Sequence, residues 1–206
     1  MLTLYYSKGS SALAAHILLE DIKAEYTAIE VSISEEAHHT PDFLALNPKG
    51  RIPLLVTEHG PLSENPAILE YIAARYPEAG YLPKGEFDLA QARSLAAYLC
   101  STVHVAFAHL KRGSRWAREA RSISDMQQVA AQNLLDCAAY LENQLSLAPW
   151  ALGAQFTYCD PYLFQVGRWM AGASLTLDGF PRLQAHHAAM MARPATLKVL
   201  EHHDLV

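Results

Sequence analysis

The sequence predicts an α/β domain followed by an all-helical domain, and three observations lead to this fold class. Near the amino terminus, strand and helix patterns follow one another in the order β-α-β and then β-β-α. Residues 76–87 carry two prolines and two glycines, which is typical of a linker. After residue 88, apolar side chains recur every three or four positions, as in amphipathic helices. We therefore expect domains at 1–77 and 88–206, joined by a linker at 78–87.

The first half of the α/β domain follows from local patterns. Residues 2–6 alternate in side-chain polarity, which predicts a strand, and residues 26–31 are rich in β-branched and aromatic side chains, which favours a second one. Between them, an apolar helix pattern begins at Ser10 or Ser11. A right-handed crossover through this helix makes the two strands parallel.

The stretch from Asn47 to Asn65, NPKGRIPLLVTEHGPLSEN, predicts a hairpin with unusual ends. Pro53 has no backbone donor and a fixed φ angle, so it marks the entrance of a strand. The backbone amide and carbonyl of Ile52 are then free to pair outside the sheet. At the far end, Asn65 before Pro66 predicts a helix N-cap and a first-turn proline. A helix N-terminus beside open backbone groups suits a small anionic peptide.

The helical domain is predicted from periodicity and from capping patterns. A long helix is expected over residues 88–113. The capping-box pattern that starts at Ser124 predicts the beginning of a second long helix, and the pattern formed by Thr157 and Asp160 predicts the beginning of a third. Two shorter helices follow.

Composition and charge exclude several function classes. The formal net charge is −5 and the basic residues are scattered, so no basic stripe for nucleic acid is present. No apolar run approaches the roughly 18 to 20 residues that cross a bilayer, and the first residues carry no secretory pattern, so we expect a cytoplasmic protein without a membrane partner. The three cysteines form no CxxC pair and are expected to be reduced. The adjacent histidines at 186–187 and 202–203 point to different sides of a helix, so we expect no metal site.

These motifs resemble those of the cytosolic glutathione S-transferases, closest to the bacterial beta-like group. The resemblance is carried by YYSKGSSALAAHI, NPKGRIP, LSENPAI and FTYCDPYLF, in that order, and it covers nearly the whole chain. It implies the glutathione transferase fold, with a thioredoxin-like amino-terminal domain and a carboxyl-terminal helical bundle. It also implies a homodimer that uses glutathione as cosubstrate and needs no other cofactor.

The resemblance assigns glutathione contacts to both ends of the hairpin. Pro53 matches the cis-proline of the family, and Ile52 matches the residue whose backbone pairs with the cysteinyl part of glutathione. Glu64 and Asn65 match the pair that grips the γ-glutamyl end, although a small serine or glycine often stands in place of Asn65. Thr157 and Asp160 match the family's N-capping box, which is a folding element.

The residue that activates the thiol departs from the beta-group pattern. Ser11 stands where that group usually has a cysteine, and Ser10 directly precedes it. A serine cannot form a mixed disulfide, but its hydroxyl can donate a hydrogen bond to the glutathione sulfur beside the positive end of the first helix. We expect Ser11, or alternatively Ser10, to stabilise the thiolate. The competing interpretation is that both serines are ordinary helix caps.

In the helical domain, Ser101 and His104 match positions that face glutathione and the acceptor, although a histidine on a long helix has by default no such role. Four residues are placed in the acceptor pocket by position alone: Arg51, Phe107, Lys111 and Trp116.

Three departures from the beta-group pattern predict an altered glutathione site. Ala97 stands where an asparagine often reaches across the dimer, Val105 replaces a common lysine, and a basic loop contact is replaced by Glu35 or Glu36.

The sequence thus predicts a glutathione S-transferase that conjugates glutathione to small apolar electrophiles. The alternative is a protein of the same fold that binds or regulates without transferase chemistry. Glutathione-dependent disulfide reduction is disfavoured, because Ser11 replaces the cysteine that such chemistry uses.

Overall fold

The structure, a computed structural model, describes residues 1–173 and 175–206, which form two compact units. The first unit comprises Met1–Lys84 and Met190–Val206, and the second comprises Gly85–Ala189. The prediction that 88–206 forms one helical domain differs from this division. The reason is α9 (Pro194–His202), whose apolar side chains are buried against the first unit, where the helix packs on α1 (Ala12–Asp21).

The first unit is built on a mixed sheet with the strand order β2-β1-β3-β4. The predicted parallel pair and the predicted hairpin are both present. Their strands are β1 (Leu2–Tyr6), β2 (Tyr26–Glu30), β3 (Leu54–Thr57) and β4 (Gly60–Ser63). β1 is parallel to β2 and antiparallel to β3, and β3 is antiparallel to β4.

The helices of this unit pack against one another and against the sheet. α1 is buried continuously from Ala12 to Leu19, because β1, α3 (Asn65–Arg75) and α9 all contact it. The sequence pattern does not predict α2 (Pro41–Leu46), which begins with a proline in its first turn and is capped by Thr40, whose Oγ1 accepts a hydrogen bond from the Phe43 amide.

The second unit is helical, as predicted, but two boundaries differ. Its helices are α4 (Glu86–Tyr98), α5 (His104–Arg112), α6 (Ala120–Gln144), α7 (Asp160–Gly172) and most of α8 (Pro181–Met191). The expected single helix over 88–113 is interrupted by a π-helical turn at Leu99–Val103. The capping box predicted at Ser124 is wrong, since α6 already begins at Ala120. A Cβ added to Gly113 would contact Ile123, so Gly113 packs closely against the first turn of α6, where the helix begins earlier than predicted.

The buried carboxylate of Asp160 organises the start of α7, as the capping pattern predicts. One oxygen accepts from the Thr157 amide at 2.6 Å and from the Thr157 hydroxyl at 3.0 Å. The other accepts from the Ala151 amide at 2.7 Å and lies 3.0 Å from Nε2 of the buried His186. A single side chain therefore ties together the preceding loop, the helix start and α8.

Residues 1–173 and 175–206 show neither a membrane-spanning helix nor a metal-binding cluster. No helix in these ranges is both long and apolar enough to pass through a bilayer. Nor do these residues contain a group of three or more histidine, cysteine or acidic side chains arranged to hold a metal ion. All three cysteines are free thiols.

Replacing Asp160 with alanine is expected to lower the free energy of unfolding by about 3–5 kcal/mol, because buried donors lose their acceptor. Chemical denaturation monitored by circular dichroism measures this loss. Asp136→Ala is the matched control. That carboxylate is exposed and accepts a hydrogen bond from Gln132, so its removal is expected to cost about 0.2–0.5 kcal/mol. Similar losses in the two variants would contradict the role assigned to Asp160.

His16 makes the stability of the first unit depend on pH. Its side chain is 1% exposed, and desolvation together with the nearby His202 lowers its pKa from 6.5 to about 4. The folded chain therefore holds a neutral imidazole at pH values where the unfolded chain binds a proton. Stability from this group is complete above pH 6.5 and declines as the pH falls towards 4. Carboxylates whose pKa is lowered in the folded chain, such as Glu20, change the free energy of unfolding only below about pH 4.5.

We expect the free energy of unfolding to fall by about 3 kcal/mol between pH 7 and pH 4 through His16 alone. In His16→Gln this part of the slope should disappear, which urea denaturation at several pH values measures. His59→Gln is the control, because the His59 side chain is 78% exposed and its removal should leave the slope unchanged. An unchanged slope in His16→Gln would contradict the assignment.

Candidate active site

Three of the predicted segments meet at one end of the sheet in the first unit. Tyr5 of β1 lies opposite Leu54 of β3, and Leu54 lies opposite Ser63 of β4. Because β3 is antiparallel to both neighbours, the end of β1, the start of β3 and the end of β4 lie side by side. The residues next to these three strand ends are Ser10 and Ser11, Ile52 and Pro53, and Glu64 and Asn65.

The two serines at the start of α1 have different roles in the structure. The Ser10 Oγ accepts a hydrogen bond from the Ala12 amide at 3.3 Å, so Ser10 acts as the local cap. Ser11 is 4% exposed and occupies the position before the first helical residue, yet its hydroxyl makes no capping hydrogen bond. The cap interpretation therefore fits Ser10, and it does not fit Ser11.

The Ile52–Pro53 peptide bond is cis, as the resemblance implies. Ile52 precedes the paired residues of β3, which begin at Leu54. The buried Asn47 braces this segment, since its Nδ2 donates to the Arg51 carbonyl at 2.7 Å and its Oδ1 accepts from the Lys49 amide at 3.3 Å. The Arg51 side chain is exposed.

Glu64 and Asn65 lie where β4 passes into α3. Glu64 has a positive φ of 74° and occupies the N-cap, so Asn65 is the first helical residue and the prediction that it is the N-cap is wrong. The Glu64 carboxylate is exposed and pairs with Lys49 Nζ at 2.6 Å. Asn65 is 5% exposed, and neither polar atom of its side chain has a hydrogen-bond partner among the residues described. A buried amide in that state costs about 1–3 kcal/mol, which a bound ligand would recover.

In the second unit, His104 and Phe107 share one face of α5 and meet Trp169 of α7. The Phe107 ring stacks on the Trp169 ring with centroids 4.8 Å apart, and the His104 ring lies 4.5 Å from it. His104 Nδ1 is 3.2 Å from the Tyr162 hydroxyl. These side chains form an aromatic cluster with a polar end at His104.

The other predicted residues of this unit do not join that cluster. Ser101 is exposed on the π-helical turn, and Lys111 is exposed near the end of α5. Trp116 is 49% exposed and packs edge to face on His109. The positions that depart from the beta-group pattern are also exposed: Glu35 and Glu36 in the first unit, and Ala97 and Val105 in the second.

Sequence reasoning missed Trp169 and Tyr162 as members of this cluster. A usable signal was present, because two aromatic residues seven positions apart lie on the same face of a helix. Their spacing shows that they share a face, but it does not show which helix that face meets.

A cavity of about 400 Å³ lies elsewhere in the second unit and contains none of the predicted residues. Its lining includes Gly167 and Ala171 of α7 and His187 of α8. Gly167 and Trp169 point to nearly opposite sides of α7, so the cavity is on the other face of that helix from the aromatic cluster.

Comparison with known proteins agrees with this geometry. Residues 1–74 match the family model "Glutathione S-transferase, N-terminal domain", and residues 114–203 match "Glutathione S-transferase, C-terminal domain". A curated relative, glutathione S-transferase GST-4.5 of Xanthomonas campestris, is 30% identical over 192 residues, which are 92% of each chain.

Two solved structures share the whole architecture. A glutathione transferase homologue from Sulfitobacter, solved with bound glutathione, is 37% identical, with a TM-score of 0.94 and 98% of each chain covered. The bacterial beta class glutathione S-transferase of Sphingomonas chungbukensis is 29% identical, with a TM-score of 0.86, covering 99% of this chain and 100% of the other. Since both domain models and full-length relatives match along nearly the entire sequence, the chain belongs to the glutathione S-transferase family.

Proposed function

We propose that this protein is a glutathione transferase that binds glutathione at the end of the sheet in its first unit, activates its thiol as a thiolate and conjugates it to small apolar electrophiles. The observation that carries the proposal is that the turn leading to Ser11, the Ile52–Pro53 step and the Glu64–Asn65 pair adjoin three neighbouring strand ends, beside the N-termini of α1 and α3. Full-length relatives named as glutathione transferases support the same activity.

The tripeptide is held by backbone and charge. The free backbone groups of Ile52 pair with the cysteinyl residue in an antiparallel manner. The Glu64 carboxylate accepts from the γ-glutamyl amino group, replacing or sharing its contact with Lys49. The γ-glutamyl carboxylate lies at the N-terminus of α3, where the dipole and the buried Asn65 amide favour an anion.

Ser11 provides the chemistry. A free thiol has a pKa of about 8.5. A hydrogen bond from the Ser11 hydroxyl and the N-terminus of α1 both favour the thiolate anion, so they lower this pKa. The thiol proton leaves to solvent, and the sulfur lone pair forms the new bond to the electrophilic carbon. In a substitution, the leaving group departs with the electron pair of the broken bond.

The aromatic cluster provides an apolar surface for the electrophile. His104 and Phe107 line it together with Trp169, which adds stacking area that the sequence reasoning had not assigned. As the resemblance implies, we also propose Ser101 and His104 as glutathione contacts. Arg51, Phe107, Lys111 and Trp116 are proposed as contacts of the electrophile. As implied by the resemblance, we also propose that the enzyme works as a homodimer in the cytoplasm.

Two assays test the activity. Retention on immobilised glutathione tests binding, and conjugation of a chromophoric aryl halide tests turnover. Binding with turnover is the expected result. Binding without turnover would favour the alternative, a protein of the same fold without transferase chemistry.

Replacing Ser11 with alanine is expected to raise the pKa of the bound thiol by about one unit, equivalent to about 1.4 kcal/mol, because the sulfur loses its hydrogen bond. Conjugation at neutral pH should fall about tenfold. Thiolate absorbance in a pH titration measures the pKa, and the aryl halide assay measures the rate.

Ser122→Ala is the control for this experiment, since Ser122 is an exposed serine on α6 in the second unit. Ser10→Ala separates the two candidate serines. If Ser10→Ala raises the thiol pKa and Ser11→Ala does not, the activating hydroxyl belongs to Ser10. No change in either variant would contradict activation by a serine.

Replacing Glu64 with glutamine is expected to weaken glutathione binding by about tenfold to a hundredfold, because a charged hydrogen bond to the amino group is lost. Isothermal titration calorimetry measures the change. Glu58→Gln is the matched control at the opposite end of the same hairpin, where the carboxylate pairs with Arg75. The affinity of the Glu58→Gln variant for glutathione should stay within about twofold of that of the unmodified protein. Equal effects in the two variants would exclude a specific contact at Glu64.

A further inference from the structure

The last residues of the chain contact the turn that precedes the two serines. The Gly9 amide donates to Nδ1 of His203 at 3.3 Å, and His203 is 1% exposed. Lys8 Nζ pairs with the Asp204 carboxylate. Gly9 has a φ of +68°, and a Cβ there would lie 3.9 Å from the Leu205 side chain. Residues 203–205 therefore lie against the Ser7–Ser10 turn and make both polar and apolar contacts with it.

Hydrogen-bond partners define the protonation of His203. Because Nδ1 accepts from the Gly9 amide, the ring proton is on Nε2. Nε2 then donates to Nδ1 of His16 at 2.9 Å. His16 is itself neutral, since burial lowers its pKa to about 4. A neutral His203 thus receives one hydrogen bond from the turn and gives one to α1.

This arrangement places His203 between the two elements that flank Ser11. Its ring also packs on Tyr6, the last residue of β1, with centroids 4.7 Å apart. Two hydrogen bonds of the turn are local, from the Ser10 amide to the Ser7 carbonyl and from the Leu13 amide to the Ser10 carbonyl. The bond from Gly9 to His203 ties the Lys8–Gly9 peptide to a distant part of the sequence.

Several ionisable groups surround this ring. Those on neighbouring elements are Tyr6 on β1, Lys8 in the turn, His16 and Glu20 on α1, Glu30 on β2, and His202 and Asp204 beside His203 itself. Lys8 pairs with both Glu30 and Asp204, so two exposed carboxylates share one ammonium group near the turn.

We propose that His203 is a positioning residue for the transferase reaction, which holds the Lys8–Gly9 peptide through its Nδ1 and so keeps the Ser11 hydroxyl directed at the glutathione sulfur. This inference rests on the proposed function of Ser11. It assigns to the carboxyl-terminal segment a role in the reaction without any contact with substrate. The hydrogen bond from Gly9 carries that role, and the bond to His16 orients the ring.

Two substitutions separate these bonds. The side-chain oxygen of asparagine takes the place of Nδ1, so His203→Asn keeps an acceptor for Gly9. The side-chain amide of glutamine takes the place of Nε2, so His203→Gln keeps a donor for His16 and loses the acceptor. His202→Gln is the control on the neighbouring exposed histidine.

The experiment measures kcat and KM for conjugation, the pKa of the bound thiol, and amide hydrogen exchange at Gly9, in the full-length protein. In His203→Gln we expect kcat to fall about fivefold, which corresponds to the loss of one hydrogen bond. Hydrogen exchange at the Gly9 amide should be faster. The KM for glutathione should stay within about twofold of that of the unmodified protein. His203→Asn should retain most of kcat and the protection of Gly9. His202→Gln should resemble the unmodified protein. Equal losses in the Asn and Gln variants, with unchanged exchange at Gly9, would show a merely structural role and overturn the proposal.

A second comparison separates this inference from the proposed function. In a Ser11→Ala background, His203→Gln should cause little further loss of kcat, because both changes act through the same hydroxyl. If Ser11→Ala lowers kcat and His203→Gln does not, the inference fails and the function of Ser11 stands. If Ser11→Ala has no effect while His203→Gln lowers kcat and His203→Asn restores it, the function of Ser11 fails and His203 positions the turn for another group.

Discussion

The antiparallel pairing of β3 with both β1 and β4 is the constraint on which the candidate site depends. It brings to one end of the sheet three segments that are far apart in the sequence. Each segment leaves its strand differently: β1 turns into α1, β3 begins after a proline, and β4 passes into α3 through a residue with positive φ. Register therefore places the segments that lead to two helix N-termini, and the backbone before β3, at the same end of the sheet.

Two residues at this end of the sheet are strained or unsatisfied. Glu64 has a left-handed φ, and the buried Asn65 amide has no hydrogen-bond partner among the residues described. Such features cost folding free energy and are found where a site is preorganised for a ligand. Burial of α1 and its contacts with α3 and α9 contribute favourably to the free energy of folding.

Local patterns predicted the sheet, the hairpin and the capping of α7, because each depends on residues close in sequence. The Asp160 carboxylate, for example, bonds to Thr157 only three positions away. Several of the failures concern distant contacts. Ser124 fits a capping box, but helix packing near Gly113 accompanies an earlier start of α6. The grouping of α9 with the first unit and the meeting of Trp169 with Phe107 depend on tertiary packing, which periodicity does not specify.

In the proposed mechanism, the serine at position 11 makes the chemistry more dependent on geometry than a cysteine would. A cysteine can react covalently with glutathione, and its bond length fixes the two sulfur atoms relative to each other. A hydroxyl contributes only a hydrogen bond, whose strength falls steeply when its angle or length changes. The proposed binding by the hairpin and the start of α3 tolerates this exchange, because it uses backbone groups and a separate carboxylate. The proposed activation does not tolerate it, so a serine here needs a rigid turn before α1. The buried imidazole of His203, which accepts from the Gly9 amide in that turn, is the group that we propose for this role.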